Sequence, residues 1–184
     1  MKKNYFVLLS FTIWFIPFCI RIPMNITNQQ YQESKNINQK NTITAVQEAF
    51  AEKKNSDAFV MVFENNIEGC IYNVCGGVLL GLGTIVNLAF NGFASSDMFI
   101  NIHHCGLPLT DILKCTLPHS FELIGFWLSG AMGLIIAHQL FRFMRGREAF
   151  DRKLIHHLIT SAVVVFIIIL CAAFVETHIS INMV

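Results

Sequence analysis

His119 and Glu122 are the residues of this sequence best placed to do chemistry together. They lie three residues apart, next to an uncharged, apolar run from Leu123 to Phe141, and a helix would present both on one face. A histidine and a carboxyl group can exchange a proton, bind a metal ion, or join two helices through hydrogen bonds. Because ionisable groups in a membrane are costly and tend to satisfy one another, we expect the joining role.

A metal site is the first alternative reading of the polar residues. His103, His104, Cys105, Cys115 and His119 are of the types that bind zinc. Their spacing matches no standard zinc finger, and no HExxH helix is present. We therefore predict no metal ligands and no cofactor. Cys105 and Cys115 are either free thiols or a disulfide, depending on whether their stretch faces an oxidising compartment.

Other catalytic signatures are missing from the sequence. The glycines that follow residue 75 precede no GK[ST] triplet, and no nucleophile elbow or kinase motif occurs. The net charge of +1 offers no basic surface for nucleic acid. We predict a protein that is not an enzyme and has no catalytic residue, with an intramembrane metal-dependent enzyme built on His119 and Glu122 kept as an alternative.

The elements that must position these residues are membrane helices. Of the 184 residues, 54% are hydrophobic and 14% charged, with a mean hydropathy of +0.53, which leaves too little charge for a soluble domain. Four apolar segments approach the roughly 20 residues that cross a bilayer: Asn4–Ile20, Gly69–Phe90, Leu117–Phe141 and Leu158–Val175. The sequence predicts an all-α, polytopic transmembrane bundle.

Charge gives the expected topology. The densest basic run, Arg142–Lys153, holds five Lys or Arg and should be cytoplasmic, as should Lys2 and Lys3. The segment beginning at Leu117 must then start outside, which requires a crossing between Asn91 and Cys115. We expect about five spans in a bacterial inner (plasma) membrane, with the N-terminus cytoplasmic and the C-terminus outside.

Three regions follow from this topology. Residues 1–22 form an uncleaved anchor helix, since no small-x-small cleavage site follows the apolar stretch. Residues 23–57 form a polar extracytoplasmic loop, in which Thr44 and Gln47 can begin a short surface helix. Residues 58–184 form the main membrane domain with about four further spans, and a short interfacial helix over Asp57–Asn66 comes just before the second span.

Small residues predict close helix packing. Gly77 and Gly81 form a GxxxG pair, and Ser129 and Gly133 form a second small-xxx-small pair, which lets helix backbones approach in lipid. The predicted packing set is Gly76, Gly77, Gly81, Gly83, Ser129 and Gly133. Asn91 and Gly92 both tolerate left-handed backbone, and we expect a helix-ending turn there.

A polar cluster is predicted at the outer ends of the spans. Thr116 and Pro118 suit the cap and first turn of a helix, which would place Glu122 near its positive end. In the predicted topology, two asparagines and a second glutamate reach the same side. We expect His119 to contact Glu122 or Glu176 while an asparagine amide donates to the cluster. Its members are Asn65, Asn66, His119, Glu122 and Glu176.

Three signatures in order resemble one known family. They are Asn65-Asn66-Ile67, the glycine run from Gly76 through Thr84 to Asn91-Gly92, and Pro118-His119-Ser120-Phe121-Glu122, followed by Glu176. Together they resemble the stage II sporulation protein M family over roughly Phe59 to Glu176. Ser120 departs from the family's usual glycine, and FASSDMFINIHHC is more polar than the corresponding family segment.

The resemblance implies a small polytopic membrane protein that scaffolds or assembles a cell-envelope complex and has no catalysis of its own. The family's sporulation member belongs to an engulfment complex that holds peptidoglycan-degrading partners. Other relatives lie beside ATPases or in bacteriocin clusters, so a membrane subunit of an ATPase-linked transport or peptide maturation and export system is the main alternative. Expected partners are other membrane or envelope proteins and the lipid bilayer. An ATPase and a second copy of the chain are further candidates, and nucleic acid is not.

Overall fold

The computed structural model describes the backbone of residues 4–27, 55–104, 109–147 and 150–178, with side chains over 4–24, 59–100, 120–147 and 150–177. Within these ranges the protein is all-helical, which confirms the predicted fold class. The helices are α1 (Asn4–Thr27), α2 (Asn55–Gly76), α3 (Leu82–His104), α4 (Leu109–Met144) and α5 (Arg152–His178). Among the described residues α1, α4 and α5 are long and apolar enough to cross a membrane.

α4 is the central helix of the bundle and contacts each of the other four. In its most apolar stretch 61% of the residues are buried, against 17% for α1 and 22% for α5. One apolar core joins α2, α4 and α5 around Cys70, Phe126 and Ile169, and a second joins α1 and α4 around Phe6 and Ile135. The outer helices therefore turn most of their surface away from the protein.

Residue pairs along the interfaces give the helix directions. Asn66 of α2 contacts Glu122 of α4. Asn73 contacts Ser129 seven residues further along each of these helices, so α2 and α4 run parallel. α1 and α3 are also parallel, as described below for their polar contacts. Phe6 lies near the start of α1, and the centroid of its ring is 5.7 Å from that of the His138 ring in α4. The start of α1 and the basic segment after α4 are thus at one end of the bundle.

The predicted continuous span over Gly69–Phe90 is wrong, because the chain reverses in its middle. α2 ends at Gly76, a 3-10 turn follows over Gly77–Leu79, and α3 begins at Leu82. Leu80 and Gly81 have φ values of 53° and 86°, a left-handed backbone that no continuous right-handed helix contains. Gly77 and Gly81 thus belong to a turn and do not form a GxxxG face on one helix.

The tip of this α2–α3 hairpin is apolar. Val78, Leu79 and Leu82 are each more than 60% exposed, and Gly81 lies beside Ala137, about two helical turns before α4 ends. Because that part of α4 belongs to a candidate span, we infer that the tip ends in the hydrocarbon region. A turn in water would normally carry polar residues.

The predicted turn at Asn91 and Gly92 is wrong for the same reason. Both residues lie inside α3, since the reversal has already occurred at Gly77–Gly81. Gly92 instead permits a close helix crossing: a Cβ there would collide with the Trp14 carbonyl oxygen of α1.

Several predicted boundaries also differ. α1 continues past residue 22 to Thr27 with Pro17 and Pro23 inside it, as membrane helices tolerate. The predicted interfacial helix over Asp57–Asn66 is the first half of α2. α4 begins at Leu109, so the predicted helix start at Thr116 and Pro118 lies in its interior, and Glu122 is too far from its N-terminus to gain from the helix dipole.

Candidate functional site

The interior of the bundle holds a buried polar network that joins α2, α3 and α4. At one end Asn66 of α2 donates from Nδ2 to Glu122 Oε1 of α4 at 2.6 Å. Both side chains are buried, Asn66 at 6% exposure and Glu122 at 1%. A short bond between an amide and a carboxyl group, shielded from water and lipid, ties the two helices together.

Asn73 lies at the centre of the network and is fully buried. Its Nδ2 donates to the Phe126 carbonyl at 3.2 Å and to Ser129 Oγ at 3.0 Å. Its Oδ1 accepts a bond from Asn87 Nδ2 at 2.9 Å. One side chain therefore links α2 to both α3 and α4, and its amide uses both the donor and acceptor ends.

α3 contributes a polar stripe at helical spacing. Asn87 Nδ2 donates to the Gly69 carbonyl at 3.0 Å as well as to Asn73. Asn91 Nδ2 donates to the Asn87 carbonyl at 2.8 Å, and Ser95 Oγ donates to the Asn91 carbonyl at 2.8 Å. Residues 84, 87, 91 and 95 all fall on one face of the helix, so this face of α3 is hydrogen-bonded along about three turns.

Glycine and threonine allow the three helices to approach at backbone distance. Thr84 Oγ1 donates to the Asn73 carbonyl at 2.7 Å. A Cβ on Gly133 would lie 2.5 Å from Thr84 Oγ1 and would collide with the Asn73 carbonyl oxygen. A Cβ on Gly77 would collide with the Gly133 carbonyl oxygen. These positions therefore have no room for a side chain, as small-residue interfaces in lipid require.

The remaining predicted packing residues lie nearby. A Cβ on Gly83 would lie 2.7 Å from the Gly76 Cα, so this pair closes the hairpin where α2 and α3 diverge. Gly81 supplies the positive φ of the turn. Ser129 accepts from Asn73 and donates to the Phe126 carbonyl at 2.9 Å.

The predicted outer cluster is brought together in part. Asn66 and Glu122 are in contact. Asn65 is exposed on α2, and Glu176 is half-buried near the end of α5. The His119 side chain lies outside the described residues, as do those of His103, His104, Cys105 and Cys115. The contact of His119 with Glu122 or Glu176 therefore stays a prediction, and both alternatives for the cysteines, free thiols and a disulfide, stay expectations.

Sequence reasoning missed Asn73 and Asn87, the two residues that connect all three helices, and gave Thr84 no role. A signal for them existed, because each is a polar residue inside an otherwise apolar run. Intramembrane amides of this kind are hydrogen-bonded to neighbouring helices as a rule. The mistaken turn at Asn91 hid the spacing of 84, 87, 91 and 95, since residues on either side of a turn share no helix face.

A separate polar contact joins α1 to α3. The Arg21 guanidinium donates from Nε to Asp97 Oδ1 at 2.8 Å and from Nη2 to Asp97 Oδ2 at 3.3 Å. This two-point geometry is the strong form of an arginine–carboxylate pair. With the Trp14–Gly92 contact it shows that α1 and α3 run parallel, and it holds the C-terminal part of α1 against α3 at the end of the bundle opposite the basic segment.

The network suits structural work better than bond-making chemistry. It consists of amides, hydroxyls, backbone carbonyls and one carboxyl group, all engaged with one another. Across the described ranges no three His, Cys, Asp or Glu side chains are grouped as a metal site would need.

Comparison with known proteins gives two matches and one negative result. The sequence profile of the family described as Stage II sporulation protein M matches residues 5–181, which includes α1 and extends beyond the region that carried the resemblance. An uncharacterized protein of Methanocaldococcus jannaschii is 26% identical over 125 residues, which are 66% of this chain and 70% of that protein. No solved structure matches the chain.

Proposed function

The chain belongs to the stage II sporulation protein M family, and from this premise we propose that it is a non-catalytic integral membrane protein that scaffolds or assembles a cell-envelope complex. Its own contribution is a rigid bundle on which other membrane proteins dock. We propose an orientation in a bacterial inner membrane with the N-terminus and the basic segment cytoplasmic and the C-terminus outside.

The observation that carries the proposal is the use of the interior polar groups. Hydrogen bonds between α2, α3 and α4 engage the side chains of Glu122, Asn66 and Asn73. These side chains are therefore poorly placed to bind a substrate. A network that is satisfied internally rigidifies a bundle and specifies one arrangement of its helices. A fixed arrangement is what a docking platform needs.

The outward faces of the bundle supply surfaces for such docking. α5 contacts the rest of the protein along one side only, and its opposite side is apolar and exposed. In lipid, apolar surface alone gives no drive for helix association, so partner helices must fit by shape. The exposed large apolar residues on the described part of α5 are Ile155, Ile159, Val163, Val164, Phe166, Ile167, Leu170 and Phe174.

A pull-down tests the proposal and locates the surface. Full-length tagged protein is extracted from its native membrane in mild detergent, and co-purifying proteins are identified by mass spectrometry. The variant Val163→Trp/Ile167→Trp adds bulk to the exposed face of α5 and stays compatible with lipid. The matched control Val86→Trp/Phe90→Trp makes the same kind of change on exposed positions of α3.

We expect envelope proteins to co-purify at a fixed ratio with wild type and with the α3 control, and to be lost from the α5 variant. A wild-type protein that purifies alone under these conditions would refute the scaffold role. Stoichiometric capture of an ATPase would instead favour the transport or export alternative.

The proposed orientation has its own test. The start of α1 lies beside His138, close to the basic segment, and α5 runs back from that segment across the bundle. A C-terminal alkaline phosphatase fusion should therefore be active and a C-terminal green fluorescent protein fusion dark, because these reporters work on opposite sides of the inner membrane. The reverse result would invert the orientation.

A further inference from the structure

A cavity of about 780 Å³ lies where α4 ends and α5 begins. Small-molecule sites in proteins span roughly 300–1,000 Å³, so its size is that of a ligand pocket. Its walls combine two arginines with aromatic and aliphatic side chains. The lining residues used below are Arg142, Phe143, Arg147, Phe150, Asp151 and Leu154.

The charge of the cavity favours an anion. Arg142 donates from Nη1 to Gln139 Oε1 at 3.3 Å, which positions its guanidinium while engaging one of five N–H groups. Arg147 is exposed in the lining. The acidic residue of the lining, Asp151, accepts a bond from the Leu154 backbone N–H at 2.7 Å and so caps α5. Among the described lining residues, two guanidinium groups therefore share the cavity with one carboxylate, and that carboxylate already has a structural role.

The apolar part of the lining points to a ligand with a hydrocarbon portion. Phe143 and Phe150 are 64% and 46% exposed although both are large aromatic residues. The candidate spans end at Met144 and begin at Arg152, so the cavity lies at the boundary between hydrocarbon and headgroups. At that depth an anionic phospholipid presents an anion and apolar chains together.

We propose that this cavity binds an anionic phospholipid. Arg142 and Arg147 contact the phosphate, for which the guanidinium fork is suited, and Phe143 and Phe150 contact the glycerol and the first acyl carbons. The site is independent of the scaffold proposal, since it concerns a lipid ligand and residues outside the buried polar network.

Native mass spectrometry of the full-length protein in neutral detergent tests the site without a charged membrane surface. Phosphatidylglycerol is titrated and bound molecules are counted. Wild type should bind one molecule saturably. The variant Arg142→Gln/Arg147→Gln should bind at least about tenfold more weakly, since it loses charge-assisted contacts to the phosphate.

The matched control is Arg145→Gln/Arg152→Gln, which removes the same charge from the same segment outside the cavity lining. It should stay within about threefold of wild type. Equal losses in the two double variants would mean diffuse attraction to the basic segment and would overturn the site.

Two further measurements cover the other outcomes. Phe150→Ala changes an exposed side chain and no charge, so it should fold and should also weaken phosphatidylglycerol binding. If it binds as wild type does, the lipid assignment fails even where the arginine variant proves unstable. Excess soluble glycerol 1-phosphate should not displace the lipid, and efficient displacement would identify a phosphate-ester site in place of a lipid site.

Discussion

Asn73→Ala is the most informative single substitution in this bundle. It removes the side chain that donates to the Phe126 carbonyl and Ser129 Oγ and accepts from Asn87. Ser129 keeps its own bond to the Phe126 carbonyl, and Asn87 keeps its bond to Gly69. The neighbours are therefore not left fully unsatisfied, and the loss should reflect the three bonds themselves.

The magnitude follows from measured interhelical hydrogen bonds in membrane proteins, which average about 0.6 kcal/mol each. Three such bonds give about 2 kcal/mol, or roughly a 30-fold change in the folding equilibrium. Asn87→Ala removes the two bonds that its Nδ2 donates to α2 and a longer bond, 3.3 Å, that its Oδ1 accepts from Asn91 within α3, and it should cost about 1–2 kcal/mol. Because the two residues share one bond, the double variant should cost about 0.6 kcal/mol less than the sum of the singles.

The assay is reversible unfolding of purified protein in mixed micelles, followed by helix content as the denaturing detergent is increased. Asn65→Ala is the matched control, because it makes the same substitution in the same helix at an exposed position. Any gain in helix propensity on replacing asparagine by alanine is then common to both variants.

The result that would refute the reasoning is a free energy of unfolding for Asn73→Ala within about 0.5 kcal/mol of the Asn65→Ala value. The central amide would then contribute nothing to the packing of the three helices. Full additivity of Asn73→Ala and Asn87→Ala would contradict the bond between them specifically.

Three further predictions concern other parts of the bundle. Glu122→Gln should keep the free energy of unfolding within about 1 kcal/mol of wild type because its amide oxygen can still accept from α2, whereas Glu122→Leu should lose about 1–3 kcal/mol in the same assay; equal losses would contradict the bond. Gly81→Ala should destabilise more than Gly146→Ala, since both have positive φ but only the first would press a Cβ to 3.1 Å from a neighbour; a larger loss at Gly146 would contradict this. In a cysteine-free background, Val78→Cys should resist a membrane-impermeant maleimide in inside-out vesicles while Arg145→Cys reacts, because only the hairpin tip ends in hydrocarbon; equal labelling would place the tip in water.

The sequence predicted α1 and α5 well, because contact with lipid alone determines that their residues are apolar. α1 and α5 are exposed around most of their circumference, so their sequences stay apolar whatever they pack against. The reversal at Gly77–Gly81 could not be found in the same way. A turn that ends in hydrocarbon is itself apolar, and Val78 to Leu82 is as hydrophobic as the interior of a span.

The sequence indicated Asn66 and Glu122, at one end of the polar network, but not Asn73 and Asn87 at its centre. Glu122 attracted attention because a carboxyl group in an apolar segment has a high cost, and Asn66 because of the neighbouring signature. Asn73 and Asn87 are neutral amides, which a hydropathy scan barely registers. Their role depends on the antiparallel pairing of α2 with α3, which exists only once the hairpin turn is correctly placed.

The parallel packing of α1 against α3 has a consequence for how the protein enters the membrane. α1 is synthesised before α3, and the aspartate that pairs with Arg21 follows it 76 residues later. α1, α4 and α5 have the hydropathy to insert on their own, whereas α2 and α3 do not meet the same criterion. During insertion, α1 therefore enters the membrane before the α2–α3 hairpin packs beside it. The hydrogen bonds of the polar network to α4 form after that, when α4 inserts. The polar network is complete only once α4 arrives, because a chain stopped before α4 would leave Asn66 without its bond to Glu122 and Asn73 without its bonds to Phe126 and Ser129.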